Sequence, residues 1–238
     1  VEREHVELVS TFAEFCDAPE SPFYRAAALG PAETWERSVR EMAELLLELP
    51  EISQAADFSF SPALLCGWHQ RLFGALFPDQ AGRLRWRQDG DWEHVFFGGN
   101  VGTARNRRIK EYRGTHPKRL PKRMRDICDE FNGTHSVLVK ARQDRISTDV
   151  EAYAAARLYV KLLRAHPWID GNLRVSFIAL QAALFSLGLP SFEFSDLEQH
   201  DDLIGWAFRG RNEPYRPLAQ HIARHVTTKM EPSYARAQ

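Results

Sequence analysis

The feature that most narrows what this chain can fold into is residues 162–188, LLRAHPWIDGNLRVSFIALQAALFSLG. A run of helix-forming residues stops at His166-Pro167, passes through Asp170-Gly171-Asn172, and restarts as an apolar segment with Arg174 near its head. Pro167 blocks continuation of the first helix, and Gly171 permits a tight backbone turn. Gly188 and Pro190 give a clear end to the second. The pair reads as buried, yet its connection carries a histidine, an aspartate, an asparagine and an arginine within nine residues.

Elsewhere, apolar residues recur at helical spacing almost wherever they recur at all. ETWERSVREMAELLLELP (33–50) puts Trp35, Val39, Met42, Leu45, Leu46 and Leu49 on one face, with Pro50 as a stop. SPALLCGWHQRLFGALFP opens with Ser61 as N-cap and Pro62 at the first helical position. PKRLPKRMRDICDEFNG gives Leu120, Met124, Ile127, Cys128 and Phe131 an inward face, with Gly133 as the stop. STDVEAYAAARLYVKLLRAHP is capped by Ser147 or Thr148. Shorter helices follow Pro190, with a terminal one near 214–230. One stretch, GRLRWRQDGDWEHVFFGGN (82–100), has aromatic and β-branched runs around Asp89-Gly90, the signature of a small β-hairpin. The basic segment after it reads as an exposed loop. The predicted fold is all-α with one hairpin inserted between helices.

Composition excludes more than it specifies. A 238-residue chain that is 44% hydrophobic holds enough apolar material for a core without disulfide or metal staples. Lys+Arg at 31 against Asp+Glu at 32 gives no overall bias toward nucleic acid or membrane surfaces. The basic runs Arg105 to Lys110 and His116 to Arg125 read as solvated faces rather than a nucleic-acid site. Cys16, Cys66 and Cys128 form no CxxC pair, as in reduced thiols of a cytosolic protein. The residues from Val1 have no signal-peptide core, and no run reaches the ~20 apolar residues that span a bilayer. The expected compartment is the cytoplasm, although an effector delivered by a specialised secretion machine would carry the same features. There is no HExxH, and His221 and His225 lack a third ligand in sequence, so no zinc site is expected.

The turn itself has a physical logic. Amides around Gly171 to Arg174 at the start of a helix form an anion site, since the first N–H groups of a helix have no intrahelical partner. Arg174 in the first turn adds positive charge where the helix dipole disfavours it, which makes sense chiefly if an anion lies there. Asn172 can cap the helix or reach over its first turn. Asp170 can offset that charge or hold a hard divalent cation bridging phosphate oxygens. His166 has an ordinary pKa near neutrality and suits a general base beside a phosphate. Taken singly, each residue is better explained by a helix end, a surface turn or an Asp170–Arg174 pair. Together in one turn, they point to a phosphate site.

HPWIDGNLR resembles the signature of the Fic proteins, His-Pro-Phe-x-(Asp/Glu)-Gly-Asn-(Gly/Lys)-Arg, at His166, Pro167, Asp170, Gly171, Asn172 and Arg174, with Trp168 in place of Phe. LCGWHQRLFGALFPDQAGRLR is similar to the family's helix leading to GxYR, and GLP follows the second helix as it commonly does there. The resemblance implies a Fic/Fido-like helical bundle over 61–225. An N-terminal helical extension at 1–60 and a C-terminal tail at 226–238 would flank it. It implies a protein nucleotidyltransferase, most often moving AMP from ATP onto a Ser, Thr or Tyr hydroxyl of a target protein. His166 would take the hydroxyl proton, Asp170 would hold Mg²⁺ on the α- and β-phosphates, Gly171, Asn172 and the Leu173 backbone would form the anion hole, and Arg174 would bind the outer phosphates. Arg85, Trp86, Val95, Phe96 and Phe97 would belong to a flap that aligns the target by edge-strand pairing. The implied partners are that target protein and, as in some relatives, a separate inhibitory antitoxin-like protein.

The sequence departs from the family pattern at two places. Leu173 stands where AMP-transferring members have Gly and Doc-type kinases have Lys. Phe177 stands where a second Arg usually follows three residues after the first, removing a charge-assisted hydrogen bond worth about 1.5–3 kcal/mol to the terminal phosphates. A Doc-like phosphotransferase, another nucleotide, or a non-catalytic binding module are therefore alternatives. STFAEF (10–15) and TTKMEP (227–232) match the family's inhibitory motif, (Ser/Thr)-x-x-x-Glu-(Gly/Asn), at all but its last position. The motif's Glu would have no second Arg to pair with, so the helix at 33–50 is read as packing, not inhibition.

Overall fold

The computed structural model describes residues 32–85, 114–141, 148–194, 197–209 and 213–235. Among these are seven α-helices: α1 (Ala32–Gln54), α2 (Pro62–Phe73), α3 (Leu120–Ala141), α4 (Thr148–Ala165), α5 (Asn172–Ser186), α6 (Leu197–Arg209) and α7 (Arg216–Ala235). A 3₁₀ turn, Pro117–Arg119, leads into α3. The expected hairpin, including Trp86, Val95, Phe96 and Phe97, lies outside the described residues. So do Cys16, Ser147 and the segments 10–15 and 105–110. Among the described residues, no helix is long and apolar enough to cross a membrane.

The organising element is α5. From Asn172 to Leu184 every residue except Leu173 is buried, so the helix is covered on all sides by its neighbours. It packs against α1 on one side and α4 on another, while α4 in turn packs on α3 and α7. The small residues of α4, Ala152, Ala154, Ala155 and Ala156, allow its neighbours to approach closely and are all buried. α5 ends in a Schellman motif. Gly188 has φ 65°, its N–H donates to Phe185 O at 2.8 Å, and the Leu189 N–H donates to Leu184 O at 2.9 Å.

Local signals at the start of α2 agree with the sequence. Ser61 Oγ accepts from the Leu64 N–H at 3.1 Å, with Pro62 at the first helical position. Two expected stops do not hold. α1 runs through Pro50 to Gln54, because Ile52 and Ser53 continue beyond the proline the packing face that Leu49 carries before it. α3 runs through Gly133 to Ala141, because Leu138 is buried one turn further on. There the Asn132 side chain exchanges hydrogen bonds with the Phe60 backbone, accepting at 2.9 Å and donating at 2.8 Å, which fixes the helix against the residues before α2. In both helices tertiary burial outweighs a local propensity of a few kcal/mol at most.

α1 contributes to the core. Met42, Leu45 and Leu49 of α1 are buried, and the Ser38 hydroxyl donates to Leu72 O at 2.6 Å. At the surface, Arg71 of α2 grips α1 through Glu41 at 2.8 Å and Glu48 at 2.6 and 2.9 Å. Pairs this exposed contribute about 1 kcal/mol or less each. At the other end, α7 buries Val226 and continues to Ala235.

Candidate active site

The turn between α4 and α5 is built from two left-handed residues. His166, directly after α4, has φ 46°, and its N–H still donates to Leu162 O and Leu163 O at 3.1 and 3.2 Å. A non-glycine residue in that conformation costs about 1–2 kcal/mol, so its surroundings must hold it there. Gly171, the N-cap of α5, has φ 73°. A Cβ at Gly171 would stand 2.2 Å from Cε2 of Phe73, so both the backbone conformation and the available space require glycine.

Intrahelical pairing in α5 begins with the Val175 N–H to Gly171 O at 3.1 Å. The amides of Asn172, Leu173 and Arg174 precede it, at the positive end of the helix, and Gly171 brings no side chain to cap them. Arg174 is only 5% exposed, with its guanidinium 5.6 Å from the centroid of the Phe73 ring. Burial pushes its pKa down to about 9, so it remains a cation at neutral pH. A buried cation and the end of a helix dipole of the same sign are both relieved by a bound anion.

Asn172 does not cap α5. Its side chain folds back across the turn, accepting from the Trp168 N–H at 3.0 Å and donating to Trp168 O at 2.9 Å. The amide thus ties the loop to the helix start, and its contribution to an anion site is its backbone N–H. Leu173 packs half-buried against the core and likewise offers its amide. Asp170 accepts from the Gly171 N–H through Oδ1 at 2.5 Å. Phe177 is 1% exposed and packs 6.2 Å from Phe194, so the helix face where the second Arg was looked for is core.

Arg85, expected among the target-binding flap residues, is 5% exposed and braces the turn. Its Nε donates to His166 O at 2.5 Å, its Nη2 to Thr115 O at 2.8 Å, and its backbone N–H to Pro167 O at 2.8 Å. The Thr115 N–H caps the Ala165 carbonyl at 3.1 Å. The Arg85 side chain thus ties the backbone at His166 to that at Thr115. The His166 ring is neutral at physiological pH, because burial, reinforced by the Arg85 charge, pushes its pKa down to about 3.

His69 was not singled out from sequence. It reaches the turn from α2, where a histidine on an apolar face reads as ordinary core. Its Nδ1 accepts from the Gly82 N–H at 2.8 Å and its Nε2 lies 3.0 Å from Asp170 O, an arrangement that makes Nε2 the protonated nitrogen. The ring stacks on Trp168, with centroids 5.0 Å apart and planes 16° from parallel. Burial pushes its pKa down to about 4, partly opposed by the bond to Asp170.

Among the described residues there is no group of three or more His, Cys, Asp or Glu side chains able to hold a metal ion. A cation at Asp170 would have to draw most of its ligands from phosphate oxygens and water. That is the habit of Mg²⁺, so the donor set fits a nucleotide-borne ion and not an all-protein metal site.

A sequence model of the Fic/DOC family matches residues 59–184, just over half of the chain. The fold is similar to that of a Fic-domain-containing signaling protein from Bacteroides thetaiotaomicron (TM-score 0.63, 12% identity, 94% of this chain and 83% of that one). It is also similar to Fic-1 from C. elegans (TM-score 0.62, 17% identity, 98% of this chain and 62% of that one). A third likeness is to the Bartonella tribocorum effector BepC, solved with AMPPNP bound (TM-score 0.53, 18% identity, 81% and 87%). At these identities the likeness is one of fold. No curated protein sequence matches the chain.

Proposed function

The chain belongs to the Fic/DOC family, and from that premise we propose that it is a protein nucleotidyltransferase moving AMP from ATP to a Ser, Thr or Tyr hydroxyl of a target protein. The observation that carries this reading is the folded form of the 166–174 turn. A glycine with no room for a Cβ opens α5, three amides and a buried arginine lie in its first turn, and a neutral histidine is pinned at the lip through its own backbone.

Each group then has a definite task. The His166 ring accepts the proton of the target hydroxyl as its oxygen forms a bond to the α-phosphorus. The bond from that phosphorus to the bridging oxygen breaks, and pyrophosphate leaves. The amides of Asn172, Leu173 and Arg174, with the Arg174 guanidinium, offset the charge on the phosphates without having to reorganise. Incoming phosphates also favour the protonated imidazole, countering the burial that keeps the free ring neutral. Asp170 would hold Mg²⁺, which supplies charge neutralisation on the phosphate oxygens when bound. The bound nucleotide of BepC, a protein of similar fold, supports a nucleotide as the ligand.

Phe177 is the observation that favours a second reading. With a core phenylalanine in place of the second Arg, terminal-phosphate capture is weaker, so another nucleotide or a γ-phosphate transfer of the Doc type is the alternative. Incubating the protein and Mg²⁺ in lysate with ATP labelled at the α- or the γ-phosphate separates these. Label on protein from the α position, lost in His166→Ala, is the expected result. Label from γ alone would establish a kinase, and label only from a different nucleotide would replace the donor. No label from any nucleotide, with His166→Ala indistinguishable from wild type, would leave a binding module.

A further inference from the structure

We propose that His69 is a positioning residue for the metal-bearing arm of the turn, acting through the Asp170 backbone; this rests on the reading of Asp170 given above. The case is geometric. Arg85 holds the first half of the turn, at the carbonyls of His166 and Pro167, and Asn172 holds the middle, at both polar atoms of the Trp168 backbone. Asp170 lies beyond both. Its carbonyl meets His69 Nε2 at 3.0 Å, and the peptide it forms with Gly171 carries the N–H that its own Oδ1 accepts at 2.5 Å.

Turning that peptide therefore turns the carboxylate. The Nε2–H bond fixes the peptide plane, and the plane fixes where Oδ1 is held. Nε2 can donate only while Nδ1 accepts, and the Gly82 N–H enforces that at 2.8 Å. Gly82 lies in the same short segment as Arg85, three residues away, so one stretch of chain grips both halves of the turn. The Trp168 ring, stacked on the imidazole and itself fully buried, prevents the His69 ring from rotating out of this bond. His69 is buried at 1% exposure with its two ring nitrogens engaged by the Gly82 and Asp170 backbone, so its influence on the turn passes through Asp170.

Two substitutions separate positioning from mere packing. In His69→Gln the amide nitrogen can reach the place of Nε2 and donate to Asp170 O. In His69→Asn the amide oxygen can reach the place of Nδ1 and accept from Gly82, but nothing reaches Asp170. Both lose the ring stack and are expected to lose similar stability in urea. Binding of Mn²⁺ with ATP, followed by electron paramagnetic resonance of the ion, reads the arm without requiring turnover. The expected result is a Mn²⁺ dissociation constant raised about tenfold in His69→Asn and within twofold of wild type in His69→Gln, the size of effect that outer-shell partners of ligands produce. Equal weakening in both variants, or none in either, would overturn the role of His69 while leaving the site intact. Failure of the wild-type protein itself to bind Mn²⁺ with ATP would instead remove the reading of Asp170, and this proposal with it.

Discussion

Gly171→Ala is the sharpest test of how the turn is built. The added methyl would stand 2.2, 2.6 and 2.9 Å from Cε2, Cζ and Cδ2 of Phe73. That ring cannot retreat freely, because it is fully buried and lies 4.9 Å from His69 and 5.3 Å from Phe77 by ring centroids. Overpacking of this kind costs about 1–3 kcal/mol, and the left-handed φ of 73° adds about 1–2 kcal/mol for a residue with a Cβ. The expected loss of unfolding free energy is thus about 2–5 kcal/mol, read from urea denaturation followed by far-ultraviolet circular dichroism. A double-mutant cycle with Phe73→Leu separates the parts. In that background Gly171→Ala should cost only the backbone share, about 1–2 kcal/mol, since the clashing ring edge is gone. A Gly171→Ala protein within 0.5 kcal/mol of wild type, or a cost unchanged by Phe73→Leu, would refute this account of the turn.

Three further outcomes follow from the same structure. Gly133→Ala should stabilise by about 0.5–1 kcal/mol in urea, because the residue is inside α3 and a Cβ there meets nothing within 4 Å. Phe177→Arg should not restore a phosphate contact; it should destabilise by about 3 kcal/mol or more and weaken binding of ATP, because the position is core and the cation would be buried without a partner. The histidine-linked part of the stability should fall as pH is lowered from about 6.5, the His69 share being lost by about pH 4. The folded protein holds His69 neutral with a pKa near 4, while the unfolded chain binds the proton at its ordinary value of 6.5. Neutral His69 thus contributes stability that is complete above the unfolded value and lost on acidification, by about 3 kcal/mol. His166 acts in the same direction, and its window extends lower, to about 3. In a His69→Gln protein the His69 part of this pH dependence should be absent from urea titrations.

How far the sequence carries can be argued from single residues. Ser61-Pro62 and Gly188-Pro190 marked helix ends correctly, because a cap and a Schellman turn are decided within a few residues of chain. Pro50 and Gly133 did not, because the choice to end or continue a helix there depends on burial of Leu49, Ile52 and Leu138 against partners far away in sequence. The turn at 166–174 was legible as a helix break that restarts on a glycine, because proline and glycine act on the backbone locally. What each side chain does within it was not. Asn172 is consumed by Trp168, Arg85 by His166 and Thr115, and the residue that steadies Asp170 comes from α2, 101 positions earlier.

The sequence by itself determined, for the described residues, a set of amphipathic and apolar helices and a glycine-containing break between the two central ones, since periodicity, caps and glycines act over short range. Only the tertiary structure decided how that turn is held. His69, Phe73, Arg85 and Thr115 meet it from three separate segments, and the meeting exists only once α2, α4 and α5 have packed, because burial is a property of the assembled helices and not of any stretch of sequence.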